Sequence, residues 1–273
     1  MTNGASSGQG LSSQGDPGIR VVILAGGLGT RLAEETHDKP KALVEIGGMP
    51  ILWHLMQHYL HYGFRDFVIA LGYKGEMISS FFRELRREGD PRQRQLPGLA
   101  SAANHAHLDW QVELVDTGYG TAKGGRLRQL APYLSGGTFM LTWCDGLSDV
   151  NLRDLVAFHR AHGKLATVTA VHPPPRFGVL ELDGPRVLRF WEKPPDNHTW
   201  VNGAFFVLEP AALNYIQDDD SGWEEGPLPR LALDGQLMAF RHTSFWQCMD
   251  TVHERDLLET LWSSGQAPWR TWE

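Results

Sequence analysis

Val21-Val22-Ile23-Leu24-Ala25-Gly26-Gly27-Leu28-Gly29-Thr30-Arg31 is an apolar run that breaks into glycines and ends on an arginine. Its first five residues suit a buried strand, and three glycines in the next four let the backbone pass close to a ligand. Such a loop turns N–H groups toward phosphate oxygens, and Arg31 adds a fork of donors that pairs with them bidentately. Counting excludes two familiar phosphate loops. After Gly27-Leu28-Gly29, the third glycine of a dinucleotide fingerprint would fall at position 32, which is Leu32, and no Gly-Lys-Ser/Thr follows.

Outward from this loop, strand-like runs at Val21–Ala25, Phe67–Leu71, Val112–Val115, Thr138–Thr142 and Ala166–Val171 alternate with helical spacing. The helical stretches are Ile51–Tyr62, Gly75–Arg87, Thr121–Leu134 and Leu152–His162. The alternation predicts right-handed βαβ units, hence an α/β fold with a mostly parallel sheet and helices on both faces. In such sheets the ligand sits beyond the carboxyl ends of the strands, where the glycine loop and Asp145 fall. From about residue 172 short strands follow (Gly178–Leu182, Val187–Glu192, Val201–Leu208, Leu237–Arg241), then a final helix near Val252–Ser263. That region is expected to extend the same sheet and to hold the second half of a ligand. Residues 89–109, with Pro91, Pro97 and Gly98, break the rhythm and read as an insertion, a lid or an oligomer contact.

Composition bounds the function. The 273 residues suit one domain over 20–273, and a formal charge of −7 argues against a general nucleic-acid binder. Two cysteines, Cys144 and Cys248, make no disulfide framework, so the expected setting is the reducing cytoplasm. Residues 1–19 are rich in Gly, Ser and Gln without the apolar core of a signal peptide, and read as a disordered tail. No apolar stretch approaches membrane-spanning length, so no membrane partner is expected. Most of the twelve histidines read as surface or interface residues, and no H-E-x-x-H spacing occurs.

Several short motifs carry chemistry. Lys39-Pro40-Lys41 places two cations about ten residues beyond Thr30–Arg31, within reach of phosphates held by the loop. Leu141-Thr142-Trp143-Cys144-Asp145-Gly146 is an apolar strand ending in an acid, a suitable Mg²⁺ ligand near phosphates. Asp145 would otherwise cap the helix near Leu152, but Asp149 and Asn151 are better placed for that. Asp250, between a strand and the last helix, reads alone as a cap and beside Asp145 as the second carboxylate of a hard-cation site. Glu192, Lys193 and Asn202 offer acceptors, a point charge and an amide to a phosphorylated sugar. Gly118-Tyr119-Gly120-Thr121-Ala122-Lys123-Gly124-Gly125-Arg126 opens a helix with four glycines in eight residues, which suits close approach to a flat nucleobase or a flexible helix start. Cys144, at a strand end, reads as packed rather than nucleophilic.

Together these stretches resemble the sugar-1-phosphate nucleotidylyltransferases, and among them most closely the cytidylyltransferases. The matching residues include Leu24–Leu32, Glu34–Thr36, Lys39–Lys41, Val44–Gly48, Pro50–His54, Gly72–Gly75, Leu114–Gly118, Gly124–Leu127, Phe245–Thr251 and Ala267–Glu273. The resemblance implies a Rossmann-like fold with a mixed central sheet. It also implies Mg²⁺-dependent transfer of a nucleotidyl group from CTP to glucose 1-phosphate, with release of pyrophosphate. The same reaction with GTP or UTP and another sugar- or heptose-1-phosphate is the alternative, and a non-catalytic nucleotide-binding subunit is the alternative of another class. Carried onto this chain, Leu24, Ala25, Gly26, Gly27, Gly29, Thr30 and Arg31 hold the triphosphate, with Thr121, Gly125 and Arg126 toward the base. Arg31 and Lys41 are the catalytic cations, and Asp145 and Asp250 the metal ligands. Asp145, Gly146, Glu192, Lys193, Asn202 and Gly203 match the sugar-phosphate pocket. The resemblance further implies a homo-oligomer. Two motifs depart from the family pattern: Tyr-Gly-Asp-Gly reads Trp143-Cys144-Asp145-Gly146, and Asn-Gly-Gly reads Asn202-Gly203-Ala204.

Overall fold

The computed structural model describes residues 18–85, 110–174, 179–192 and 199–272. Residues 1–17, the 89–109 insertion and Lys193 therefore lie outside the described residues. The first half of the chain forms β1 (Arg20–Leu24), α1 (Ala33–Thr36), β2 (Glu45–Ile46), β3 (Met49–Pro50), α2 (Ile51–His61), β4 (Asp66–Leu71), α3 (Gly75–Leu85), β5 (Gln111–Asp116) and α4 (Lys123–Leu130). The second half adds β6 (Phe139–Trp143), β7 (Gly146–Ser148), α5 (Leu152–His162), β8 (Ala166–Val171), β9 (Val179–Asp183) and β10 (Arg186–Trp191). It ends with β11 (Val201–Leu208), α6 (Pro227–Leu233), β12 (Leu237–His242), β13 (Trp246–Cys248) and α7 (Val252–Ser263).

Seven strands make the central sheet among the described residues, in the order β12-β8-β11-β6-β1-β4-β5. β1 pairs in parallel with β4 and β6, β5 with β4, and β12 with β8. β11 alone runs antiparallel, wedged between β6 and β8. The sheet is thus mixed and mostly parallel, as expected. One expectation is corrected: β9 and β10 do not extend this sheet but pair with each other in a separate antiparallel ribbon. β11 and β12 do extend it.

The central strands are apolar on both faces because both faces are covered. In β1, Val21 and Ile23 join a core with Trp53, Tyr59 and Phe67, while Val22 and Leu24 join the opposite core with Leu127, Phe206 and Trp223. Period-two alternation alone produces that division. β4 repeats it, with Phe67 and Ile69 on the first side and Val68 and Ala70 on the second.

This register sets the site. Leu24 at the end of β1 stands beside Trp143 at the end of β6 and Ala70 near the end of β4. The loops that leave these ends therefore gather at one edge of the sheet. Helix capping frees two acids there. Asn151 caps α5, accepting from the Arg153 and Asp154 amides, and Thr251 caps α7 in a reciprocal box with Glu254. Neither Asp145 nor Asp250 is needed as a cap.

Candidate active site

A cavity of about 550 Å³ opens at the carboxyl ends of β1 and β6. At its floor the Lys41 ammonium donates to Asp145 Oδ2 and Asp250 Oδ1, both at 2.6 Å. Arg31 Nη1 meets the second oxygen of Asp250 at 2.7 Å. The Lys41 side chain is only 8% exposed, with Asp145 at 21% and Asp250 at 12%. Burial alone would push the lysine pKa down, but the charges and hydrogen bonds of Asp145 and Asp250 outweigh it and hold Lys41 above its ordinary range. Lys41 is therefore a permanent cation. Arg31, 75% exposed, reaches in from the glycine loop as the solvent-accessible counterpart of this buried charge.

The two carboxylates lie side by side because β7 and β13 pair antiparallel just beyond them, with Gly146 opposite Cys248. Met249 N–H donates to the Asp145 carbonyl at 2.9 Å, joining the two acid-bearing turns directly. Buried Glu254 then accepts from the Asp250 amide at 2.6 Å and from the Thr251 amide at 2.9 Å. At the far end of the ribbon His242 Nε2 lies 3.0 Å from Asp149 Oδ1 and 3.0 Å from the Phe245 carbonyl, while Ser244 donates to Asp149 Oδ2 at 2.6 Å. Burial opposes both charges in that clasp. The His242 and Ser244 contacts nevertheless keep Asp149 below the usual carboxylate range, and Asp149 with the Phe245 carbonyl keeps His242 above the usual histidine value.

Arg126 holds the loops around the cavity together. Its Nη1 donates to the Leu71 carbonyl at 2.8 Å, Thr117 Oγ1 at 2.6 Å and the Gly118 carbonyl at 2.9 Å, and its Nη2 to the Gly26 carbonyl at 3.0 Å. One buried guanidinium thus ties together the loops that leave β1, β4 and β5. Gly26 is glycine for a steric reason: a Cβ there would stand 2.3 Å from Arg126 Nη1. Gly29 has φ +64°, the left-handed region that glycine enters without cost, and starts the turn that carries Thr30 and Arg31.

Most of the residues singled out from sequence meet at this cavity. Leu24, Gly26, Gly27, Gly29, Thr30, Arg31, Lys41, Thr121, Arg126, Asp145, Gly146, Asn202 and Asp250 line it. Ala25 does not; it is buried, its amide bonded to the Ala70 carbonyl. Gly125 packs instead against the Asp219 carbonyl, where a Cβ would come within 2.0 Å. Gly203 sits under Trp246, whose indole donates to its carbonyl at 2.8 Å. Glu192 follows the exposed strand β10, off the cavity wall. Lys123, Trp143, Ala204, Glu224, Trp246 and Cys248 line the cavity and were not predicted. Ala204 holds φ +62°, where the family pattern has glycine, and Asn202 Oδ1 braces it by accepting from its amide at 2.7 Å.

Other sequence expectations resolve simply. Cys144 is buried, and burial followed by the Asp145 charge pushes its thiol up to about 12, which leaves it un-ionised and unreactive. Three histidines lie in the core rather than at the surface: His54, His58 and His159. Burial pushes His54 down to about 4 and His58 to about 3, so both are neutral packing groups. Among the described residues, no cluster of three or more His, Cys, Asp and Glu forms a metal cage. The donor set of Asp145 and Asp250 still fits Mg²⁺, which is commonly held by one or two carboxylates and completed by phosphate oxygens and water. No helix among the described residues is long and apolar enough to cross a membrane.

Comparison with known proteins agrees with this geometry. Residues 20–237 match the family model described as nucleotidyl transferase. The chain is 46% identical over 257 residues to glucose-1-phosphate cytidylyltransferase of Salmonella typhi, across 93% of this chain and 100% of the relative. It is 38% identical to a probable glucose-1-phosphate cytidylyltransferase of Bacillus subtilis, with the same coverage of each chain. The fold is shared with the crystal structure of HddC from Yersinia pseudotuberculosis complexed with GMP-PN, at a TM-score of 0.66 and 20% identity, covering 89% of this chain and 99% of that one.

Proposed function

The chain belongs to the nucleotidyl transferase family, and on that premise we propose that it transfers a cytidylyl group from CTP to glucose 1-phosphate, with Mg²⁺ as cofactor, giving CDP-glucose and pyrophosphate. The observation that carries the proposal is Lys41 held at 2.6 Å from both Asp145 and Asp250, with Arg31 alongside, at the mouth of a glycine loop. The relatives named for this reaction match nearly the whole chain, which supports the choice of substrates.

The chemistry follows from charge. A sugar-phosphate oxygen is already ionised at neutral pH, so no general base is needed. It attacks the α-phosphorus of the triphosphate in line; the new P–O bond forms as the bond to the bridging α–β oxygen breaks, and pyrophosphate leaves. Arg31 and the loop 26–30 grip the triphosphate, while Lys41 presents a fixed cation to the reacting phosphate. A buried, preorganised cation stabilises developing charge without reorganising water. Asp145 and Asp250 would hold Mg²⁺, which when bound neutralises and orients phosphate oxygens. Asn202 Oδ1 is engaged with Ala204, so its amide N–H groups are what Asn202 would offer the sugar phosphate. The exposed apolar side chains Leu180, Val187, Leu188 and Phe190 of the β9–β10 ribbon support assembly into a homo-oligomer, and we place the enzyme in the cytoplasm.

Pyrophosphate release measured over a matrix of nucleoside triphosphates and sugar 1-phosphates tests the proposal. CTP with glucose 1-phosphate should give the highest kcat/KM, and chelation of divalent metal should stop release. A different preferred pair would overturn the substrates; no release with any pair would overturn nucleotidyl transfer.

A further inference from the structure

Glu34–Thr36, a stretch singled out in the sequence, does not line the cavity. It belongs to α1, the short helix between Arg31 and Lys41. There Glu35 Oε1 meets Arg255 Nη1 of α7 at 3.0 Å, with the two side chains 24% and 28% exposed. Asp256 Oδ1 flanks the same guanidinium, 2.7 Å from its Nε. The pair joins two segments far apart in the chain. One carries the glycine loop, Arg31 and Lys41; the other carries Asp250.

Both ends of this bridge are fastened to the site. On the α1 side, the Thr36 hydroxyl lies 3.0 Å from the Gly29 carbonyl and 2.9 Å from that of Leu32, so the neighbour of Glu35 holds the turn that carries Thr30 and Arg31. Tyr73 donates to the Thr36 carbonyl at 3.2 Å and ties α1 to the loop after β4. On the α7 side, the neighbour of Arg255 is Glu254, which accepts from the Asp250 and Thr251 amides. Glu35 is thereby coupled to the glycine turn and Arg255 to Asp250, each through one adjacent residue.

The charged pairs that line the cavity are placed differently. Arg31 with Asp250, Lys41 with Asp145 and Asp250, and Lys123 with Glu224 all stand where a ligand can reach them. Resting on nucleotidyl transfer as proposed above, Arg31 turns to the triphosphate and Asp250 to the metal, so their mutual contact parts when substrates arrive. The Glu35–Arg255 pair lies off the cavity and persists. We infer that Glu35 and Arg255 are positioning residues, whose bridge keeps the glycine loop in register with Asp250 after Arg31 has let go of it. Without the bridge, the turn held by α1 gains freedom that phosphate binding then has to remove, and affinity falls. Asp250 stays held by Glu254 and by the Met249–Asp145 link, so the reacting centre is spared.

Glu35→Gln, Arg255→Met, the double variant and Arg255→Lys test the inference, read by equilibrium binding of inorganic tripolyphosphate and by steady-state kinetics. Glu35→Gln and Arg255→Met should each weaken tripolyphosphate binding about fivefold and raise KM for the nucleotide by a similar factor, the upper end for one partly exposed ion pair. The values of kcat and of KM for glucose 1-phosphate should be nearly unchanged. The double variant should be no worse than either single one, and Arg255→Lys should restore most of the affinity. Unchanged tripolyphosphate binding would overturn the inference, as would additive losses in the double variant. Equal losses in kcat and both KM values, with a lowered melting temperature, would overturn it too by making the pair a general structural contact. Tripolyphosphate binding needs no turnover. If the wild type does not react CTP with glucose 1-phosphate, the proposed substrates fail, while the tripolyphosphate series still decides the bridge.

Discussion

Two lysine–carboxylate pairs face one cavity and live in different media. Lys41 is 8% exposed and shares two carboxylates; Lys123 is 46% exposed and shares one. Coulomb attraction is several times stronger where water is excluded, and so is the cost of leaving a charge unpaired. The buried pair is therefore fixed, charged and suited to transition-state stabilisation. The exposed pair contributes little to stability. Fixed and solvent-accessible charge are separated along one pocket by burial.

The sharpest way to break that contrast is Lys41→Ala. Without the lysine, the buried carboxylates of Asp145 and Asp250 lose the cation they share. Turnover should fall by about a thousandfold, and unfolding free energy by about 3 kcal/mol. An unchanged kcat with only KM raised would make Lys41 a substrate-binding group instead. Arg126→Ala comes next. It removes the shared anchor of three loops, so KM for the nucleotide should rise about tenfold or more with a smaller change in kcat. Steady-state kinetics with the nucleotide varied decide it.

Lys123→Ala should behave oppositely to Lys41→Ala, moving the unfolding free energy by less than about 1 kcal/mol in chemical denaturation. A loss comparable to that of Lys41→Ala would erase the distinction between the two pairs. The smallest effect is a pH dependence at the His242–Asp149 clasp. His242 is raised in the folded state, so its contribution is complete below the ordinary histidine pKa and fades as pH climbs through the raised value. Asp149 is lowered, so its contribution persists until pH falls below the ordinary carboxylate range. The melting temperature of the wild type should thus exceed that of His242→Gln most between about pH 4 and pH 6.5, and the gap should narrow at alkaline pH.

The two ends of the cavity were unequally legible in the sequence. The Lys41 end is written in local patterns: a β-branched run into glycines, Lys-Pro-Lys, and an acid at the end of each of two strand segments. β1, β4, β6 and β8 were visible for the same reason, since strands buried on both faces appear as continuous apolar runs. Strand direction is not a local property, so neither the antiparallel insertion of β11 nor the separation of β9 and β10 could be read. α6 was missed because Pro227 and Pro229 make a seven-residue helix look like a turn. The Lys123–Glu224 pair joins residues 101 positions apart, and no spacing rule reaches that far. The glycines at 125 and 203 suggested ligand contact, but their empty Cβ space is filled by protein. Spacing shows where side chains are absent, not what takes their place.

The two hydrogen bonds of Lys41 close loops of 104 and 209 residues. Contacts so distant in sequence are reached late, because their chain entropy is lost before they return any enthalpy. The β1–β4 pairing spans a far shorter interval and needs neither acid. During refolding, tryptophan fluorescence should therefore recover ahead of turnover, with catalytic activity timing the final closure of the chain on itself.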